Sequence, residues 1–161
     1  MDLIEKLHTC DETRQEWADA PWELTSVDLG IHWEAIHYTL CGSRKVGEAP
    51  LSWAIKGGKE LQTEDFGYGP MRVLTHAETQ QVSTALEGVD VDSLVAKWDC
   101  QALIDHEVYP DFLWKRALGD DPKEYLAADF QQIKGHFHTC ATYDGLASRG
   151  NLGTLLWIMS S

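Results

Sequence analysis

The residues most able to do chemistry fall in three places along the chain. The first is HFHTC, ending at Cys140. Imidazole and thiolate are the donors zinc prefers, so the cluster invites a metal reading. On a helix, however, His136 and His138 are two residues apart and point to nearly opposite sides. Only His136 and Cys140, at i and i+4, can then share an ion. The alternative is a solvated histidine pair beside a core cysteine. The second place is DHEVYPD, which gathers Asp105, His106, Glu107, Tyr109 and Asp111. Carboxylates and an imidazole at this density can hold a divalent cation or supply an acid and a base. Charged residues at a helix end that faces water have the same composition. The third is His37, four residues after Trp33 on the edge of an apolar stripe. A partly buried histidine beside aromatic rings is either a general base or a satisfied core residue. Tyr38, Tyr68 and Tyr109 join it around a pocket only in a fold that brings them together.

A further segment, DFGYGPMRVLTHAE from Asp65 to Glu78, is easier to read as shape than as chemistry. Gly67 and Gly69 flank Tyr68 and can adopt backbone angles that a Cβ resists, while Pro70 keeps Gly69 out of the helical region. The loop is therefore stiff and presents Tyr68. Thr75 and Glu78 then match a capping box, in which each side chain accepts a hydrogen bond from the other residue's backbone N–H. Loop geometry and helix capping account for this segment without a ligand.

The elements that must position these residues follow from spacing. In LGIHWEAIHYTLCG, Leu29, Trp33, Ile36 and Leu40 recur at helical spacing, with Asp28 as the N-terminal cap and Gly42 as the left-handed terminator. In PLSWAIKGG, Leu51, Trp53 and Ile55 alternate with Ser52, Ala54 and Lys56, which predicts a half-buried strand turning at Gly57-Gly58. A capped helix is expected from Thr75 to about Glu87, before Gly88. Asp92 and Asp99 are expected to cap two short helices, and Pro110 to hold Tyr109 extended. Asp121, Pro122 and Glu124 open a long helix whose buried stripe is Leu126, Phe130, Ile133, Phe137 and Cys140 or Ala141. The run TLLWIMSS reads as a buried strand that closes the sheet. Near the start, Leu3, Ile4 and Leu7 suggest one short helix. The expected architecture is helix-rich α+β, a single domain over residues 1–161 with a small mixed sheet that includes the C-terminal strand.

Composition narrows the functional classes. A chain of 161 residues, 43% hydrophobic, buries a core without staples. Thirteen basic residues against 26 acidic ones give a net charge of -13, which repels phosphate backbones, so no nucleic acid is expected as a partner. The same charge serves solubility or steers the chain toward a basic protein. Cys10, Cys41, Cys100 and Cys140 are widely spaced and read as buried free thiols. The charged N-terminus and the lack of a membrane-length apolar run predict a cytoplasmic protein without a membrane partner. No G-x-S-x-G elbow or G-x-x-x-x-G-K-[ST] loop is present, and GLASRGNLG lacks the lysine of a phosphate loop. Neither a metal nor a cofactor is therefore expected.

Several motifs in order, WEAIHYTLCG, PLSWAIKGG, ED-x-GYGP with LT shortly after, VYPDFLW and LLWIMS, resemble the YfbM-like family of small bacterial proteins from about Leu29 onward. GYGP after GG is the most specific of them. Members of that family begin with a Met-Gly-Met strand, whereas this chain opens MDLIEKLHTCDETRQ. The resemblance implies an α+β fold and carries no catalytic residue, because the family is a domain of unknown function. It also suggests company with small acidic bacterial proteins that act as immunity proteins against a toxin. The leading expectation is a non-enzymatic acidic protein-binding module of that kind, with candidate residues His37, Tyr38, Asp65, Tyr68, Asp105, Glu107, Tyr109 and Asp111. The alternative is a small-molecule binder or enzyme with a cleft near His37 and Tyr68.

Overall fold

The computed structural model describes residues 27–45, 47–63, 65, 67–96, 98–117, 123–142, 152–156 and 158. The expected N-terminal helix, the family's N-terminal edge strand, Cys10, and the Asp121 and Pro122 helix start lie outside them.

Asp28 accepts a hydrogen bond from the Gly30 amide at 2.8 Å and opens a 3-10 turn, Gly30–His32, which runs into helix α1, Trp33–Cys41. Gly42, at φ 68°, ends α1 in the left-handed conformation expected of it. The helix is unusual in burying five consecutive residues, Trp33 to His37. It is wedged between two apolar clusters. Trp33 and Ile36 belong to one, with Leu74, Val82, Leu86, Phe130, Ile133 and Phe137; Ala35 belongs to the other, with Leu103, Val108, Trp114 and Leu126. That position explains how Glu34 and His37 come to lie inside the protein.

The alternating segment after α1 is not a strand. Trp53–Lys56 forms a short helix, α2, with Ala54 and Ile55 buried. The amides of Trp53 and Ala54 bond to carbonyls three residues back, at Pro50 and Leu51, so local turn bonding has overridden the period-two pattern. Strand β1, Lys59–Glu60, follows Gly57-Gly58 and pairs antiparallel with β2, Arg72–Thr75. The other edge of β2 pairs antiparallel with β3, Leu152–Leu156, with a register shift at Leu74/Thr75. The sheet order is β1-β2-β3, so the expected C-terminal strand is present and lies at an edge, and both pairings are antiparallel rather than mixed.

Thr75 and Glu78 form the capping box that starts α3, His76–Glu87, with Thr75 Oγ1 accepting from the Glu78 amide at 3.2 Å. Helix α4, Val91–Ala96, is capped by Asp90 rather than Asp92, which lies within the helix; Asp90 accepts from both the amide and the hydroxyl of Ser93. Helix α5, Cys100–Asp105, takes the expected cap from Asp99. Helices α6, Asp111–Ala117, and α7, Lys123–Thr142, complete the set. The inward stripe of α7 is the expected one, with Leu126, Phe130, Ile133, Phe137 and Cys140 all buried. It packs most extensively against α3.

Helix α3 also sits very close to β3. Thr79 and Thr154 are buried and share a hydroxyl hydrogen bond of 3.1 Å. A Cβ on Gly153 would overlap Thr79 Oγ1 and stand 2.7 Å from the Thr75 carbonyl oxygen. Gly153→Ala is therefore expected to push the edge strand away from α3 and cost about 1–3 kcal/mol, read as a lower midpoint in urea unfolding. Among the described residues no helix is long and apolar enough to cross a membrane.

Candidate functional site

The centre of the site is a carboxylate that sequence reading passed over. Glu34 is only 8% exposed at its side chain and is held by two hydrogen-bond donors, with a second cation close by. Its Oε2 accepts from the Tyr109 amide at 2.6 Å and from Arg44 Nε at 3.2 Å. Lys56 Nζ stands 3.8 Å from Oε1. A buried carboxylate depends on such partners to offset its lost hydration. Lys56 also donates to the Arg44 carbonyl oxygen and lies 5.1 Å over the Trp33 ring. Burial pulls the Lys56 ammonium below the usual lysine range, while Glu34 pushes in the opposite direction.

Three aromatic rings cover this ion cluster. Tyr68 meets Trp33 edge-on at a centroid distance of 5.0 Å and Tyr109 at 6.0 Å, and Trp33 and Tyr109 are 6.3 Å apart. These are the separations at which aromatic pairs attract. Tyr68 belongs to the loop between β1 and β2. The loop is closed by a bond from the Leu61 amide to the Met71 carbonyl and another from the Met71 amide to Thr63 Oγ1. Inside it, Asp65 Oδ1 accepts from the amides of Gly67 at 2.7 Å and Gly69 at 2.9 Å. Both glycines are left-handed, at φ 107° and 102°, as the sequence requires of them. The two amide bonds hold the Asp65 carboxyl below the usual carboxylate range. Burial, with Tyr109 and Glu34 nearby, raises the Tyr68 phenol above its ordinary value, so its hydroxyl is neutral at physiological pH. Tyr68 nevertheless remains 40% exposed.

Asp65→Ala removes the acceptor shared by the two amides. Faster hydrogen exchange at Gly67 and Gly69 is expected, with little change in the midpoint of global unfolding, because Asp65 itself is exposed.

The structure divides the sequence-derived residues. Tyr68 and Tyr109 meet directly, Asp65 fixes the loop between the glycines, and Glu107 joins through Arg44, whose Nη1 is 3.8 Å away. His37 is elsewhere, 1% exposed in the core, with neither ring nitrogen hydrogen-bonded. Burial, and then the nearby Lys56 charge, lowers its pKa to about 4. Tyr38 is half-buried with its ring 5.3 Å from that of His106. Asp105 accepts from Gln101 Nε2, and Asp111 pairs with Lys115 across one helical turn. Cys140 Sγ lies 3.7 Å from His136 Nε2, as the spacing allows. Among the described residues, no three His, Cys, Asp or Glu side chains converge as a metal site. Of the cysteines expected to be buried, Cys140 is buried and Cys41 and Cys100 are half-buried, all three as free thiols.

Glu34, Arg44, Lys56 and Trp33 are the members of the site that sequence reading missed as a group. No local signal marked them, because Glu34 meets the Tyr109 amide from 75 residues away and is turned inward by the packing of α1 between two apolar clusters.

Two shallow depressions lie away from this cluster. One is lined by Pro50, Ala77, Gln80, Gln81, Thr84 and Ala85, the other by Leu40, Cys41, Gly47, Glu48 and Leu51. Neither contains His37, Tyr38, Asp65 or Tyr68.

Fold and site together define a small, helix-rich α+β protein with an aromatic cluster supported by an internal ion network. The chain belongs to the DUF1877 family, a domain of unknown function, whose pattern matches residues 2–146. It is similar in structure to YfbM from Escherichia coli, described as a protein of unknown function. The TM-score is 0.52 and the identity 16%, over 92% of this chain and 94% of that one. At that identity the likeness speaks for the fold alone. No curated protein matches the sequence.

Proposed function

We propose that the chain is a non-enzymatic binding module for a basic protein partner, in its particular form an immunity protein that neutralises a bacterial toxin. The observation that carries this reading is Tyr68, an exposed aromatic residue on a hydrogen-bonded loop, packed against Trp33 and Tyr109. Aromatic anchors that are already ordered lose little entropy on binding, and tyrosine is enriched at the centres of interfaces. Among the described residues, the large hydrophobic side chains left exposed are Tyr68 and Phe112. Phe112 follows Tyr109 by three residues, and Asp65, Asp105, Glu107 and Asp111 are exposed in the same two segments. With a net charge of -13, this surface draws cationic partners.

The small-molecule reading required His37, Tyr38, Asp65 and Tyr68 to share a cleft. His37 is in the core, and the rings of Tyr38 and Tyr68 pack against different neighbours, which leaves that reading without support in the geometry. Affinity capture from the host's own lysate tests the proposal. A single basic protein recovered in near-equal amount and released by raised salt is the expected result, and a binding partner without cationic character would contradict it.

A further inference from the structure

We infer that Glu34 is the positioning residue for Tyr68: one buried carboxylate fixes both of the rings against which the exposed tyrosine packs. The inference rests on the protein-binding reading above and names how the anchor is held in place there.

Tyr68 has two aromatic neighbours, Trp33 at 5.0 Å and Tyr109 at 6.0 Å between ring centres. Trp33 comes from α1 and Tyr109 from the segment between α5 and α6. The bonds inside the loop that carries Tyr68, from Gly67 and Gly69 to Asp65 and from Met71 to Thr63, set the loop's own backbone and involve neither ring.

Both rings lead to Glu34. Its Oε2 accepts from the Tyr109 amide at 2.6 Å, which fixes the backbone from which that ring projects. Its Oε1 stands 3.8 Å from Lys56 Nζ, and the same ammonium lies 5.1 Å from the centre of the Trp33 ring. Lys56 thus joins the carboxylate to the indole, attracted by the charge of one and the quadrupole of the other. Trp33 and Glu34 are also consecutive on α1. Arg44 Nε, 3.2 Å from Oε2, holds the carboxylate from a further direction.

Stability alone does not call for this arrangement. Apolar side chains of similar volume often replace a buried ion cluster without loss, whereas a carboxylate that accepts from a backbone amide and a guanidinium specifies one geometry. The Glu34 side chain is only 8% exposed, so it acts on a partner through Tyr68 and not by contact.

The test reads the Tyr68 ring protons by NMR in the whole protein, assigned by their loss in Tyr68→Phe. Packing against Trp33 displaces these signals from the values of a free tyrosine. Glu34→Met removes both oxygens and should return the signals most of the way. Glu34→Gln keeps an oxygen for the Tyr109 amide but loses the charge, and should return them in part. A loss of stability alone enlarges the unfolded fraction and leaves the folded-state signals in place, so the shift separates positioning from support of the fold. Tyr68 signals that match wild type in either variant while it is folded would overturn the inference, and where Glu34→Met does not fold, Glu34→Gln decides. Lysate capture with Glu34→Gln then separates the inference from the reading it rests on. Weaker recovery of the basic protein is expected. Undiminished recovery beside shifted Tyr68 signals would leave Glu34 as the positioning residue and remove Tyr68 as the anchor.

Discussion

Glu34→Ala is expected to destabilise the protein by about 3–5 kcal/mol, because it leaves a guanidinium and a backbone donor without their acceptor and a neighbouring ammonium without its counter-charge. Arg44 and Lys56 are 33% and 23% exposed at their side chains, so water replaces the lost carboxylate only in part. The Tyr109 amide, bonded to Glu34 at 2.6 Å, becomes an unsatisfied donor beneath the aromatic cluster. Glu34→Gln separates the two contributions. Its amide oxygen can still accept from Tyr109 while the charge is gone, so it should lie between wild type and the alanine variant. Denaturant unfolding with an unchanged slope reads both numbers. A loss below about 1 kcal/mol for Glu34→Ala would show that the network is ornamental, since that is the range of an exposed ion pair.

The second large effect is one of pH. His37 titrates at its ordinary 6.5 when unfolded and at about 4 in the native core. Between those values the unfolded chain carries a proton that the folded chain does not. Stability is therefore fully present above pH 6.5 and falls as pH drops toward 4, by on the order of 3 kcal/mol in total. Asp65, Asp90 and Asp111, whose native carboxyls are held below their usual range, lose stability in the same direction at lower pH. His37→Leu isolates the histidine. It replaces a ring with two unpartnered nitrogens by an apolar side chain of similar size, so it should equal or exceed wild type at pH 7. The gap between the two proteins should then widen in favour of leucine as pH falls from 6.5 to 4. Parallel stability curves would mean that the buried imidazole finds a proton acceptor in the folded protein.

Much of the architecture was legible because local signals and tertiary packing agree. The α7 stripe, the Gly42 terminator and the Thr75–Glu78 capping box are each fixed within a few residues of sequence, and each is found in place. Trp53 to Lys56 failed because four residues satisfy a period of two and one helical turn almost equally, and the turn bonds decided between them. Asp92 was misread for Asp90 by the small offset that separates a cap from a first-turn acid. At the site, the sequence showed that Tyr68 is presented by a stiff loop, since glycine and proline act locally. The support beneath it was not legible. Glu34 lies 75 residues from the Tyr109 amide it binds, and a charged residue on a helix ordinarily faces water. Only the packing of α1 between two apolar clusters turns it inward.

Tyr68 is proposed to anchor a protein partner. The most direct test is a paired capture from the host's lysate with wild-type protein and Tyr68→Leu, after matched unfolding midpoints show that both are folded. Recovery of a basic protein by wild type, sharply reduced with Tyr68→Leu at the same salt, is the predicted result. Equal recovery of that protein by both would contradict the claim.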